Sequence, residues 1–166
     1  MCREAVKKVK VKSAKQALES LMRQCARAEK SSGDALRLMR TWGVAEEHRQ
    51  EILERLIADK FIDDRRYAEA YVREKINLSG WGARKIAASL KAKGVAASII
   101  SEALEDIDRS TLEERLESAV ERKARGLKYK DKYDLKSKLI RYGLSLGYDY
   151  DMVLSVVSQK IKIEDE

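Results

Sequence analysis

The chain has 166 residues, room for one compact domain or a few small modules but not for several full domains. Proline is absent, glycine occurs 8 times and charged residues make up 38%, an inventory that favours an all-α protein over a sheet-built one. The 35 lysines and arginines outnumber 28 acids for a net charge of +7, a bias toward polyanions or acidic protein surfaces, and 2 cysteines exclude a disulfide framework.

Residues 1–13 read as a basic arm, MCREAVKKVKVKS, with no apolar stretch or cleavage site behind it. No apolar run approaches the roughly 20 residues needed to cross a bilayer. A cytoplasmic, reducing environment without membrane contact is the expectation.

Ala17, Leu18, Leu21, Met22 and Cys25 then recur at the spacing of one helix face, which makes Cys25 a small packing residue rather than a nucleophile. Ser31 to Asp34 break the chain before Leu36 and Met39 begin a second helix, which MRTWGV ends at Gly43. Ile52 and Leu53 mark a third, although His48 and Arg49 interrupt its apolar pattern.

FIDDRRYAEAYVREK, residues 61–75, places two carboxylates against two arginines. As an N-cap, Asp63 would accept backbone N–H groups two or three residues on; Asp64 would meet the positive end of the helix dipole, and Ile62 would staple onto Tyr67. A metal or acid–base role needs further ligands or a partner carboxylate brought in from elsewhere, and the sequence offers no His-rich companion. Tyr67, Ala68, Tyr71 and Val72 share the face of this helix.

SGWG at 79–82 reads as a short glycine turn, and GARKIAASLKAKGV as a helix ending at Gly94. Ser110 and Glu113 have capping-box spacing at the start of a helix carrying Leu112, Leu116, Ala119 and Val120. In DLKSKLIRYGLSLGYDYDMV, the last helix-ending glycine is Gly147.

Gly43, Gly94 and Gly147 are 51 and 53 residues apart, and each precedes an apolar residue: Val44, Val95 or Tyr148. Beyond Gly94 lie Ile99, Ile100, Ala103 and Leu104; beyond Gly147, at the same offsets, Met152, Val153, Val156 and Val157. This period suits three short helices, so the chain reads as an arm, 1–13, followed by tandem three-helix modules at 14–60, 61–109 and 110–166. An elongated body, open to curvature, is expected.

Nucleotide-binding glycine loops, zinc motifs and covalent-catalysis motifs are missing, and His48 is the single histidine. The reading is a non-enzyme without cofactor or metal. What remains is a surface that can bind. The second module carries Arg65, Arg66, Arg73 and Lys75, then Arg84, Lys85, Lys91 and Lys93; the third carries Lys128, Lys130, Lys132, Lys136, Lys138 and Arg141, interleaved with Tyr129, Tyr133 and Tyr142. Such residues clamp phosphates and stack on bases, or simply solvate a helix face.

FIDDRRYAEAYV, GARKIAASLKAKGV and DLKSKLIRYGLSLGYDYDMV, in that order within a threefold repeat, resemble the RecX family of bacterial recombination regulators, from about Ala14 onward. The family often has Gly-Pro where this chain has Gly82-Ala83, and a bulky apolar residue where Gly143 stands, a change expected to loosen its helix by about 1 kcal/mol.

The resemblance implies a regulator of recombination and DNA repair that binds the RecA nucleoprotein filament and restrains strand exchange and ATP hydrolysis by RecA. Arg65, Arg66, Arg73, Lys75, Arg84, Lys85, Lys91, Lys93, Lys136, Lys138 and Arg141 are the expected contacts to RecA or to single- or double-stranded DNA phosphates, on a monomer. Two rival readings are a helix-turn-helix-like DNA-binding regulator and a helical adaptor for an acidic protein.

Overall fold

The computed structural model describes residues 11–163, so the arm assigned to 1–13 falls outside the described residues up to position 10. Among the described residues the chain is all-helical, as expected. The helices are α1 (Ala14–Cys25), α2 (Ser32–Thr41), α3 (Glu46–Ala58), α4 (Asp64–Ser79), α5 (Ala83–Ala92), α6 (Ala97–Glu105), α7 (Arg109–Arg125), α8 (Lys132–Ser145) and α9 (Tyr150–Ile163). None is long and apolar enough to cross a membrane.

Two compact units form. One contains the described residues through Tyr67 together with Lys93–Val95; the other contains Ala68–Ala92 and the described residues from Ala96 onward.

In the first unit, Ala17 and Leu21 of α1, Ala35 and Met39 of α2, and Ile52, Leu53 and Leu56 of α3 make one core with Val44 and Ile62. Cys25 packs against that core, and burial pushes its thiol pKa up, as suits an inert apolar side chain. Helix α1 starts with a capping box: Ser13 accepts from Gln16 N–H while the Gln16 side chain accepts from Ser13 N–H. Helix α2 starts at Ser31, whose hydroxyl accepts from Asp34 N–H at 3.1 Å.

In the second unit, Leu116 and Val120 of α7, Leu135 and Leu139 of α8, and Met152, Val153, Val156 and Val157 of α9 close a core with Tyr148. Gly143 lies inside α8 and is buried. A Cβ there would stand 2.8 Å from Val153 Cγ1, so the glycine lets Val153 pack onto the α8 backbone. Helix α5 packs on α6, and the Tyr71 hydroxyl of α4 bonds the Ser89 hydroxyl of α5 at 2.6 Å.

The three helix-ending glycines have left-handed φ of 67° (Gly43), 77° (Gly94) and 91° (Gly147). The apolar residue after each, Val44, Val95 or Tyr148, is buried.

One helix start differs from expectation. Helix α7 is capped by Asp108, not by a Ser110–Glu113 box: Asp108 accepts from Ser110 N–H at 3.3 Å and from the Ser110 hydroxyl at 2.6 Å. A carboxylate two residues upstream uses the serine as a donor, and those two bonds hold the Asp108 pKa below the ordinary aspartate value.

Candidate interaction surface

Asp63 and Asp64 both serve the fold. Asp63 Oδ1 accepts from Arg66 N–H at 3.0 Å, the expected cap, and Asp64 Oδ1 accepts from Ser32 N–H at 2.7 Å, tying the start of α4 to the start of α2. Among the described residues no group of three histidines, cysteines or carboxylates could hold a metal ion.

The cations divide by environment. In the first unit, Arg66 forms a forked pair with Glu29, Nε to Oε1 at 2.7 Å and Nη2 to Oε2 at 3.1 Å, which raises the guanidinium pKa. Arg65 is exposed and Lys93 is half-buried.

In the second unit, Lys75 Nζ is 2.8 Å from Glu74 Oε1, and its ammonium lies 5.1 Å from the Tyr71 ring and 5.4 Å from the Trp81 ring. Lys85 Nζ stands 4.6 Å from that Trp81 ring and donates to Ser145 O at 3.3 Å. The pair Arg84 Nε–Asp149 Oδ1 measures 2.7 Å. Both arginine and lysine of this helix start are therefore drawn to the turn at the end of α8.

Lys138 is held by Asp134 and by Lys128 O, both at 2.8 Å, and this partner lowers the Asp134 pKa. Arg141 Nε makes a long bond, 3.4 Å, to Ser137 O. Arg73 and Lys91 are exposed, Lys136 is half-buried, and none of the three forms an ion pair with a described residue.

The tyrosines separate in the same way. Tyr67 is buried and Tyr71 is half-buried, whereas Tyr129 is 50% and Tyr133 81% exposed beside Lys128, Lys130 and Lys132. Sequence periodicity separates Tyr67 and Tyr71 from Tyr129 and Tyr133, because the first pair sits at core spacing on α4.

Two contacts escape sequence reasoning. A Cβ on Gly33 would lie 2.1 Å from Lys93 O, and one on Gly82 would lie 2.5 Å from the carbonyl carbon of Gly147. SGWG is thus a site of close backbone approach as well as a turn. The available signal was a glycine beside or just inside a helix start, at two positions, 33 and 82, about fifty residues apart along the chain.

Comparison with known proteins places these elements. Residues 63–104 match the model of the RecX second three-helix domain, and residues 112–157 that of the third. The chain is 32% identical over 156 residues to the "Regulatory protein RecX" of Clostridium botulinum (strain Alaska E43 / Type E3), covering 93% of this chain and 71% of that protein. The chain belongs to the RecX family.

This RecX-family chain is also 33% identical over 140 residues to the regulatory protein RecX of Clostridium botulinum (strain Eklund 17B / Type B), covering 83% of itself and 64% of that relative. It is 34% identical over 140 residues to the one from Oceanobacillus iheyensis, where it spans 84% of itself and only half, 50%, of the relative's length. The crystal structure of RecX from Lactobacillus salivarius shares its fold, with a TM-score of 0.78 at 22% identity over 90% of this chain and 97% of that one.

Proposed function

We propose that this RecX-family chain is a non-enzymatic cytoplasmic regulator of homologous recombination and DNA repair, which binds the RecA nucleoprotein filament and inhibits its strand exchange and ATPase activity. The observation that carries the reading is family membership over the second and third three-helix domains. In this reading the chain works as three modules, 14–60, 61–109 and 110–166. Repeated modules can engage successive subunits of a helical polymer, and each added contact gains from the first.

Arg73, Lys91 and Lys136 support the electrostatic part. They lie within the two matched domains and their charges are not spent on described carboxylates. A filament that holds DNA presents phosphates to such groups. Arg66, Lys75, Arg84 and Lys138 are already paired with carboxylates, so in this proposal they contribute at the edge of the surface. The commitment of Arg84 and Lys85 to the α8 turn also argues against α5 as a groove-reading recognition helix.

The test is the full chain carrying Arg73→Glu, Lys91→Glu and Lys136→Glu together. Inhibition of RecA strand exchange is expected to weaken at least tenfold, with helical content and melting temperature unchanged. Undiminished inhibition by the folded triple variant overturns the assignment. Binding to bare single-stranded DNA, to RecA alone and to the filament, each against salt, separates a DNA-binding regulator and an acidic-protein adaptor from a filament binder.

A further inference from the structure

Three carbonyl groups occupy one repeated position, the residue before a left-handed glycine: Trp42, Lys93 and Leu146. Each accepts a hydrogen bond from a segment far upstream. The donors are Lys12 N–H at 3.0 Å, the Ser31 hydroxyl at 2.7 Å and Gly82 N–H at 2.8 Å.

In two of the three, the donor stands at a helix start: Ser31 caps α2, and Gly82 immediately precedes α5. The backbone enters so closely that a Cβ on Gly33 or Gly82 would collide with the receiving turn. At the Trp42–Gly43 turn the visitor is the Val11–Lys12 segment ahead of α1 instead. Val11 Cγ2 lies 3.3 Å from where a Gly43 Cβ would be, the Lys12 ammonium lies 3.6 Å from the Trp42 ring centroid, and Lys12 Nζ also donates to the Ser20 hydroxyl at 2.9 Å.

We propose that the Trp42–Gly43 turn is a docking seat of the same kind as the Lys93–Gly94 and Leu146–Gly147 turns, and that its occupant is this chain's own Val11–Lys12 segment, standing in for a helix start. The chemistry that recognises the occupant is a backbone N–H aimed at the Trp42 carbonyl and a cation laid on the indole. The seat is closed to a second copy because Val11–Lys12 already fills it, and the starts of α2 and α5, which fill the other two seats, are engaged within this chain.

The experiment uses full-chain variants and hydrogen–deuterium exchange over Thr41–Ala45. Lys12→Pro deletes the donating N–H and is expected to speed exchange there at least tenfold, while Lys12→Ala, which keeps that N–H, speeds it no more than about threefold. A peptide of residues 7–13, KKVKVKS, added at millimolar concentration to replace the lost intramolecular contact, is expected to slow exchange in Lys12→Pro again. Exchange unchanged by Lys12→Pro, equal effects of the two variants, or failure of the peptide overturns the seat. Concentration-dependent association of Lys12→Pro in sedimentation overturns its closure to a second copy. Should Lys12→Pro not fold, Val11→Gly, which strips only the side chain over Gly43, takes its place with the same peptide rescue.

Discussion

The Ser31 hydroxyl donates to the carbonyl oxygen of Lys93 at 2.7 Å while accepting the Asp34 N–H at 3.1 Å, and the residue is fully buried. One oxygen thus starts a helix and fastens it to the turn after α5. Ser31→Ala removes a cap, at about 1 kcal/mol, and strands a backbone acceptor, at about 1–3 kcal/mol. A loss of roughly 2–4 kcal/mol in urea unfolding of the full chain is expected; a loss below about 0.5 kcal/mol would mean that water replaces the hydroxyl.

Gly82→Ala should be among the costliest small substitutions. The added methyl meets the carbonyl carbon and oxygen of Gly147 at 2.5 Å, and backbone cannot swing aside as a side chain does. Overpacking of this kind costs about 3 kcal/mol. Gly126→Ala is the control, because its φ is −104° and nothing stands within 4 Å of the new carbon. Its melting point should stay within the change that about 0.5 kcal/mol produces.

Lys60 is the one described non-glycine residue with positive φ, 59°, and it follows α3 where Phe61 N–H returns to Leu56 O at 2.8 Å. A left-handed residue with a side chain costs about 1–2 kcal/mol, partly offset by the unfolded-chain entropy that glycine adds. Lys60→Gly should therefore stabilise the chain by about 0.5–1 kcal/mol, and Lys60→Val should destabilise it. Chemical denaturation of both variants reads the two signs directly.

Helices α3 and α6 begin at Ala45 and Ala96, which supply no side-chain cap although both have extended ψ, 142° and 144°. Ala96→Ser fits that geometry and is exposed, so a gain of about 1 kcal/mol is expected in equilibrium unfolding. No gain would show that the first-turn N–H groups of α6 are already well solvated.

Tyr148 carries the pH prediction. Burial pushes its phenol pKa up to about 12, and the hydroxyl donates to Gly80 O at 3.0 Å. The folded state favours the neutral phenol, so stability is level below the ordinary value near 10. It then falls as pH rises from about 10 to 12, because the unfolded chain loses its proton first. Denaturant midpoints should drop between about pH 10 and pH 12, and Tyr148→Phe should reduce that drop. In a spectrophotometric titration of the 7 tyrosines, one should ionise last.

Much of this protein was legible in one dimension. The apolar spacing of Ala17, Leu21 and Cys25, the break at Ser31 to Asp34, the cap at Asp63, and the turns at Gly43, Gly94 and Gly147 are decided by sterics and hydrogen bonding within a helical turn or two, so a short window of sequence contains their whole cause. The Asp108 cap was missed because two adjacent local solutions compete and their difference lies in side-chain geometry. Which cations remain available was decided only in three dimensions. Arg66 finds Glu29 and Arg84 finds Asp149 after the chain has closed loops of dozens of residues, and Gly33 and Gly82 acquire their meaning only when another turn arrives against them. Pairings across such distances are settled by the packing of whole helices, where the backbone must pass within reach before any charge or missing methyl can matter.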